Sequence, residues 1–118
     1  MNIRIIPINI TLLDQQKEYL EKNLRTLERI TKRYGDVADL TVNIGRITSQ
    51  QQTGKIFFAE AKFAIPGKDI ACKVEGNSIK DVTKKLRNNL KNLIVKEQDL
   101  KEDRFKKLGR FFKEKLRW

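Results

Sequence analysis

The chain has 118 residues and carries 26 lysines and arginines against 15 aspartates and glutamates, a formal net charge of +11, with no histidine and one cysteine. That length fits one domain with a modest core. A single cysteine excludes an intramolecular disulfide and a cysteine-based metal cluster, and the missing histidine removes the commonest general base.

The excess of cations favours a polyanionic partner, because each neutralised phosphate releases counterions; nucleic acid comes first and an acidic membrane surface second. A lysine-rich surface that is merely solvated is the plain alternative. The lone cysteine suits a reducing compartment. No signal peptide opens the chain and no apolar run approaches the roughly 20 residues that span a bilayer, so a cytoplasmic protein is expected.

The opening "MNIRI" alternates Ile3 and Ile5 with polar residues, predicting a strand over residues 2–6 that Pro7 ends or confines to a sheet edge. From Asp14 to Tyr34, Leu20, Leu24, Leu27, Ile30 and Tyr34 recur at steps of three and four, predicting one helix capped by Asp14 and closed by Gly35. Its opposite face gathers Lys22, Arg25, Arg29, Lys32 and Arg33. "VADLTVNIGR" alternates as a half-buried strand, and "ITSQQQTG" reads as a loop.

"IFFAEAKFAIPGKDIACKVEG" holds two alternating runs around Pro66-Gly67. Phe57, Ala59, Ala61, Phe63 and Ile65 fall on one side of the first run, and Ile70, Cys72 and Val74 on one side of the second, so an antiparallel hairpin is expected. Of the rings, only Phe58 falls on the wet side, which argues against a sheet platform that stacks single-stranded bases.

A second helix is predicted from Ser78, with Asp81 three residues on as a weak capping box and Ile79, Val82, Leu86, Leu90 and Leu93 as its apolar stripe. Lys80, Lys84, Arg87 and Lys91 follow at steps of four, three and four, a basic ridge away from that stripe, with Lys85 and Lys96 on another flank. The ridge is either a solvated face or, beside the basic side of the first helix, part of a continuous surface that tracks phosphates. The order strand, helix, three strands, helix predicts an α+β two-layer sandwich, with a four-stranded sheet and both helices on one face.

In "KEDRFKKLGRFFKEKLRW", Phe105, Leu108, Phe112 and Leu116 recur at helical spacing among eight basic and three acidic residues. Gly109 weakens such a helix by about 1 kcal/mol relative to alanine. Residues 1–98 are therefore expected to form the domain and 99–118 a basic amphipathic tail. The tail either reaches RNA or protein or folds back on the core, and Trp118 either stacks on a partner or is a free terminus. No glycine-rich phosphate loop, metal-ligand spacing or paired carboxylates appear, so neither an enzyme nor a cofactor nor a small-molecule substrate is expected.

"FAEAKFAIPGKDIACKVEGNSI" and "KEYLEKNLRTLER" resemble the hairpin and first helix of the ribosome hibernation-promoting factors, also called ribosome-associated inhibitors or the sigma-54 modulation protein family. The likeness covers residues 1–98 in element order. It implies a fold similar to double-stranded-RNA-binding domains and a non-enzymatic protein, monomeric on the ribosome. Such a protein binds the small subunit at the decoding region, in the mRNA–tRNA channel, silencing and protecting idle ribosomes. Nothing matches the C-terminal dimerisation domain of the long members, so a short form is implied.

Carried over by position, Arg33, Arg46 and Lys96 match sites usually basic in that family. Asn89 and Asn92 stand where it usually has lysine and arginine, and Ser78 and Lys80 replace its aspartate and tyrosine at the helix start. The expected rRNA-binding set is thus Lys22, Arg25, Arg29, Arg33, Arg46, Lys80, Lys84, Lys85, Arg87, Asn89, Lys91, Asn92 and Lys96. The competing readings are a constitutive ribosomal or RNA-chaperone protein using the same face, and a membrane-surface protein acting through the tail.

Overall fold

The computed structural model describes residues 1–47 and 56–115, with side chains described through residue 100. Beyond its first residue, the expected loop "ITSQQQTG" lies outside the described residues, as do Leu116, Trp118 and the side chains of the tail. The elements are β1 (Asn2–Ile8), α1 (Asp14–Arg25), α2 (Glu28–Thr31), a 3₁₀ segment (Lys32–Val37), β2 (Asp39–Arg46), β3 (Phe57–Ile65), β4 (Lys68–Gly76) and α3 (Ile79–Lys115). The strands form one sheet in the order β1-β2-β3-β4, with β1 parallel to β2 and the other pairs antiparallel. This is the expected α+β arrangement.

Alternation decides which side of the sheet is dry. Leu40, Phe63 and Ile70 stand in one cross-strand row, and Val42, Ala61 and Cys72 in the next. All point to the helix layer, where Leu20, Leu24, Leu27, Val82, Leu86, Leu90 and Ile94 complete the core. Phe63 is fully buried and Tyr34 packs edge-on against it, with ring centroids 6.0 Å apart. Burying a side chain of that size contributes about 1.5–3 kcal/mol.

Pro7 does not end β1 but lies inside it, paired with Ile44; β1 is an edge strand, where a missing backbone donor is tolerated. At the hairpin, Pro66 and Gly67 form the two-residue connection, and Gly67 takes φ +84°, a conformation glycine adopts without a Cβ clash.

The first helix departs from expectation. It breaks after Arg25, resumes as the single turn α2, and tightens into the 3₁₀ segment, where Gly35 has φ +58°. Thr26 and Leu27 donate their N–H groups to the carbonyls of Asn23 and Leu24, three residues back, and the Thr26 hydroxyl donates to the Asn23 carbonyl at 2.6 Å. A threonine that satisfies a terminal carbonyl ends the α pattern locally. Leu27 stays buried across the break, so the apolar stripe survives it.

Asp14 is not the cap of α1. Leu13 holds that position, and its N–H donates to the Gln16 side chain at 3.0 Å. At α3 the expected cap is present: the Asp81 N–H donates to Ser78 Oγ at 3.0 Å, while the Asp81 carboxylate accepts from the Asn77 N–H at 3.1 Å. On α3 the stripe runs through Ile94 rather than Leu93, which is 37% exposed beside the free edge of β4. The four-residue step from Leu90 keeps the side chain over the sheet; the three-residue step does not.

With 37 residues, α3 is about 55 Å long at 1.5 Å per residue, whereas the nine-residue strands reach about 30 Å. The molecule accordingly measures 67 × 30 × 18 Å. The core beneath α3 closes at two polar contacts: Lys68 with Glu97, and the Gln98 side chain donating to the Ile30 carbonyl at 2.6 Å.

Candidate nucleic-acid interface

The two sides of the molecule carry different charge. On the open face of the sheet, Lys62 pairs with Asp69 at 3.3 Å and Lys73 with Glu60 at 3.5 Å, around a depression of about 560 Å³. Those side chains largely neutralise one another, so this face is a poor attractor for a polyanion. Over residues 79–100 of the helix layer, by contrast, 6 basic residues stand against 3 acidic ones.

The basic ridge of α3 lies along the seam with α1 and α2. Lys80 sits over the Tyr19 ring, 5.7 Å from its centroid. The Nε of Arg87 donates to Thr26 Oγ1 at 2.8 Å and its Nη1 to Asn88 Oδ1 at 3.1 Å. Arg87 and Lys91 line a groove of about 330 Å³ with Thr26, Leu27, Arg29 and Ile30. Lys84 is exposed on the same helix and, like Arg29 and Lys91, forms no ion pair among the described residues.

Other expected contacts are partly committed within the protein. Arg25 pairs with Glu28 and also donates to the Met1 carbonyl at 3.1 Å. The hydrogen bond that Glu28 accepts from Arg25 holds its carboxyl below the ordinary pKa. Lys85 reaches the Glu75 carbonyl at 3.0 Å and Asp81 at 3.2 Å. The Asp81 carboxyl is held low, first by the Asn77 N–H and then by Lys85.

Arg46 stands over the Phe57 ring, 5.8 Å from its centroid, and lines a separate groove with Asn9, Thr11, Gln16 and Ile79 where both long helices begin. Gln16 and Ile79 also border the pocket holding Lys80 and Tyr19, so Arg46 and Lys80 adjoin at that end. Lys96 lies elsewhere, beside Leu93, Leu100 and β4. Lys22, Arg33, Asn89 and Asn92 are exposed on the helix layer.

The expected set therefore divides into a seam group (Arg29, Arg87 and Lys91, with Lys84 beside them), an end group (Arg46 and Lys80), and residues on outer flanks. Thr26 and Tyr19 were missed. Their only signal in sequence is a polar or aromatic residue within an amphipathic pattern, which does not identify partners 61 residues away. Among the described residues there is no group of three or more potential metal ligands, and no helix is long and apolar enough to cross a membrane.

A four-stranded mixed sheet covered on one face by helices is a fold found in other solved proteins. Two solved structures share it with this chain. One is a ribosomal subunit interface protein from Coxiella burnetii: TM-score 0.64, 16% identity, covering 84% of this chain and 99% of that one. The other is the N-terminal domain of Protein Y from Thermus thermophilus: TM-score 0.53, 24% identity, covering 78% and 98%. At these identities the likeness establishes the fold, the α+β sandwich expected from the order of the elements. No family model matches the chain, and no curated protein does.

Proposed function

We propose that this protein is a ribosome hibernation factor: it binds the small ribosomal subunit at the decoding region, within the mRNA–tRNA channel, and blocks translation sterically while protecting idle ribosomes. The carrying observation is the cationic seam of α1, α2 and α3 on a fold shared with a ribosomal subunit interface protein. A rigid layer that presents arginine and lysine side chains along one line suits the regularly spaced phosphates of folded RNA, and requires no reading of base edges. The sheet fixes the helices, and the helices hold the charge. Inhibition needs no chemical step, since an RNA-bound domain some 30 Å across excludes a tRNA from the same space. In this reading the protein works in the cytoplasm, as a monomer on its ribosome and without a cofactor.

The test is where the protein sediments and what it does to translation. It is expected to co-sediment with idle small subunits and ribosomes, to be absent from translating polysomes, and to inhibit cell-free translation in proportion to its occupancy. Equal abundance on polysomes without inhibition would instead identify a constitutive ribosome-associated or RNA-chaperone protein using the same face.

A further inference from the structure

The break in the first helix places a hydroxyl where the second long helix can use it. Thr26 Oγ1 donates its only proton to the Asn23 carbonyl, so its lone pairs face outward, and one of them accepts from Arg87 Nε. The direction of the chain, from guanidinium through hydroxyl to carbonyl, is thereby fixed. Asn88 Oδ1 takes a second donor, on Nη1.

A guanidinium has five N–H donors. Two are committed to Thr26 and Asn88, and three remain without a partner among the described residues, in a half-buried side chain whose orientation is held at two points. They lie at a groove that Arg29 and Lys91 also line, and no carboxylate is among its lining residues. Glu28, the nearest acid on α2, is engaged by Arg25. An oriented guanidinium flanked by two cations, without a carboxylate, fits a tetrahedral dianion or monoanion, with the two-pronged geometry that arginine offers phosphate.

We infer that this groove is a subsite for one backbone phosphate of the bound RNA, and that Thr26 is a positioning residue that aims Arg87 at it. The inference rests on the RNA-binding reading above and deepens it. Arg87 is thereby distinguished from Lys84, which contributes as a mobile point charge. Presetting the arginine removes part of the ordering cost that binding would otherwise bear.

The test uses the full chain and two probes, purified small ribosomal subunits and a short RNA hairpin, with affinities measured over a salt series. Thr26→Val is expected to weaken binding about three- to tenfold, the size of one hydrogen bond's contribution. Thr26→Ser, which keeps the hydroxyl, is expected to stay within about twofold of the parent. In an Arg87→Ala background Thr26→Val should cause no further loss, which a merely structural role for Thr26 would not produce. Should Thr26→Val fail to fold, Arg87→Lys retains the charge without the fork and is expected to show the same loss.

Unchanged affinity of Thr26→Val or Arg87→Lys, or an equal loss with and without Arg87, overturns the subsite. Binding of the hairpin with this pattern, but no binding to small subunits, sustains the subsite and sinks the ribosomal reading. Binding of neither probe by the parent chain overturns both.

Discussion

Lys68 Nζ stands 2.6 Å from Glu97 Oε2, and the Glu97 side chain is only 7% exposed, so a cation on β4 meets a nearly buried anion of α3 where that helix leaves the sheet. With Gln98 bonded to the Ile30 carbonyl one residue on, this contact ends the buried part of α3 among the described residues. Among the described residues the core lies between Met1 and Ile94, and the helix continues to Lys115. A chain cut after Leu100 is expected to unfold cooperatively, with a stability within about 1 kcal/mol of the full chain, since every described core residue is retained. Loss of cooperative unfolding in a urea titration would show instead that the tail packs on the domain.

Reversal of charge along the seam separates electrostatics from fold. Lys84→Glu combined with Lys91→Glu alters two exposed side chains without an ion pair among the described residues, so stability should change by less than about 0.5 kcal/mol for each. Affinity for small subunits should fall sharply at low salt, and the slope of log K against log salt should shrink by roughly one unit per lost phosphate contact. An unchanged slope would mean that these lysines are only solvated.

Gly45 marks a close approach on the other side of the sheet. A Cβ added there would press on the Ile8 carbonyl oxygen and come within 3.0 Å of Ile8 Cβ and the Phe58 ring. Because the carbonyl belongs to the paired strand β1, it cannot swing away as a side-chain end would. Gly45→Ala is expected to cost about 1–3 kcal/mol, seen as a lower thermal midpoint, and to loosen amide protection in β1 first.

Burial pushes the Cys72 thiol up to about 11, against an ordinary value of 9.0. Less thiolate is then present near neutral pH, so alkylation at about pH 8 should be slow in the folded protein and rapid once urea unfolds it. The linkage has a definite sign: between 9.0 and about 11 the folded state keeps a proton that the unfolded state releases. Its contribution to stability is therefore complete below 9.0 and declines as pH rises through that window. A Cys72→Ala chain should lack this component of the alkaline decline in a denaturant titration.

Much of the fold was legible because burial on one side leaves a period-two trace. Leu40, Val42 and Ile44, then Ala59, Ala61 and Phe63, then Ile70, Cys72 and Val74 alternate with mostly polar neighbours, and each set faces the helices. The interruption at Thr26 left no such trace, because Leu24 and Leu27 remain buried whether the helix runs on or tightens by one hydrogen bond. Leu93 and Ile94 are both apolar and adjacent, so the stripe could have passed through either, and only the sheet beneath chooses. At the site, the spacing of Lys80, Lys84, Arg87 and Lys91 correctly placed them on one side of α3. That this side meets α1, and that Arg87 is anchored there, depends on contacts between residues far apart in sequence.

In the proposed complex the helix seam, rather than the sheet, lies against the RNA of the small subunit. A cryo-EM map of ribosomes saturated with this protein tests it directly. Density for the domain is expected in the mRNA–tRNA channel of the small subunit, with Arg29, Arg87 and Lys91 against rRNA phosphates and the Lys62 and Lys73 face turned away. Density at another site, or the open sheet face against the RNA with the seam in solvent, would contradict it.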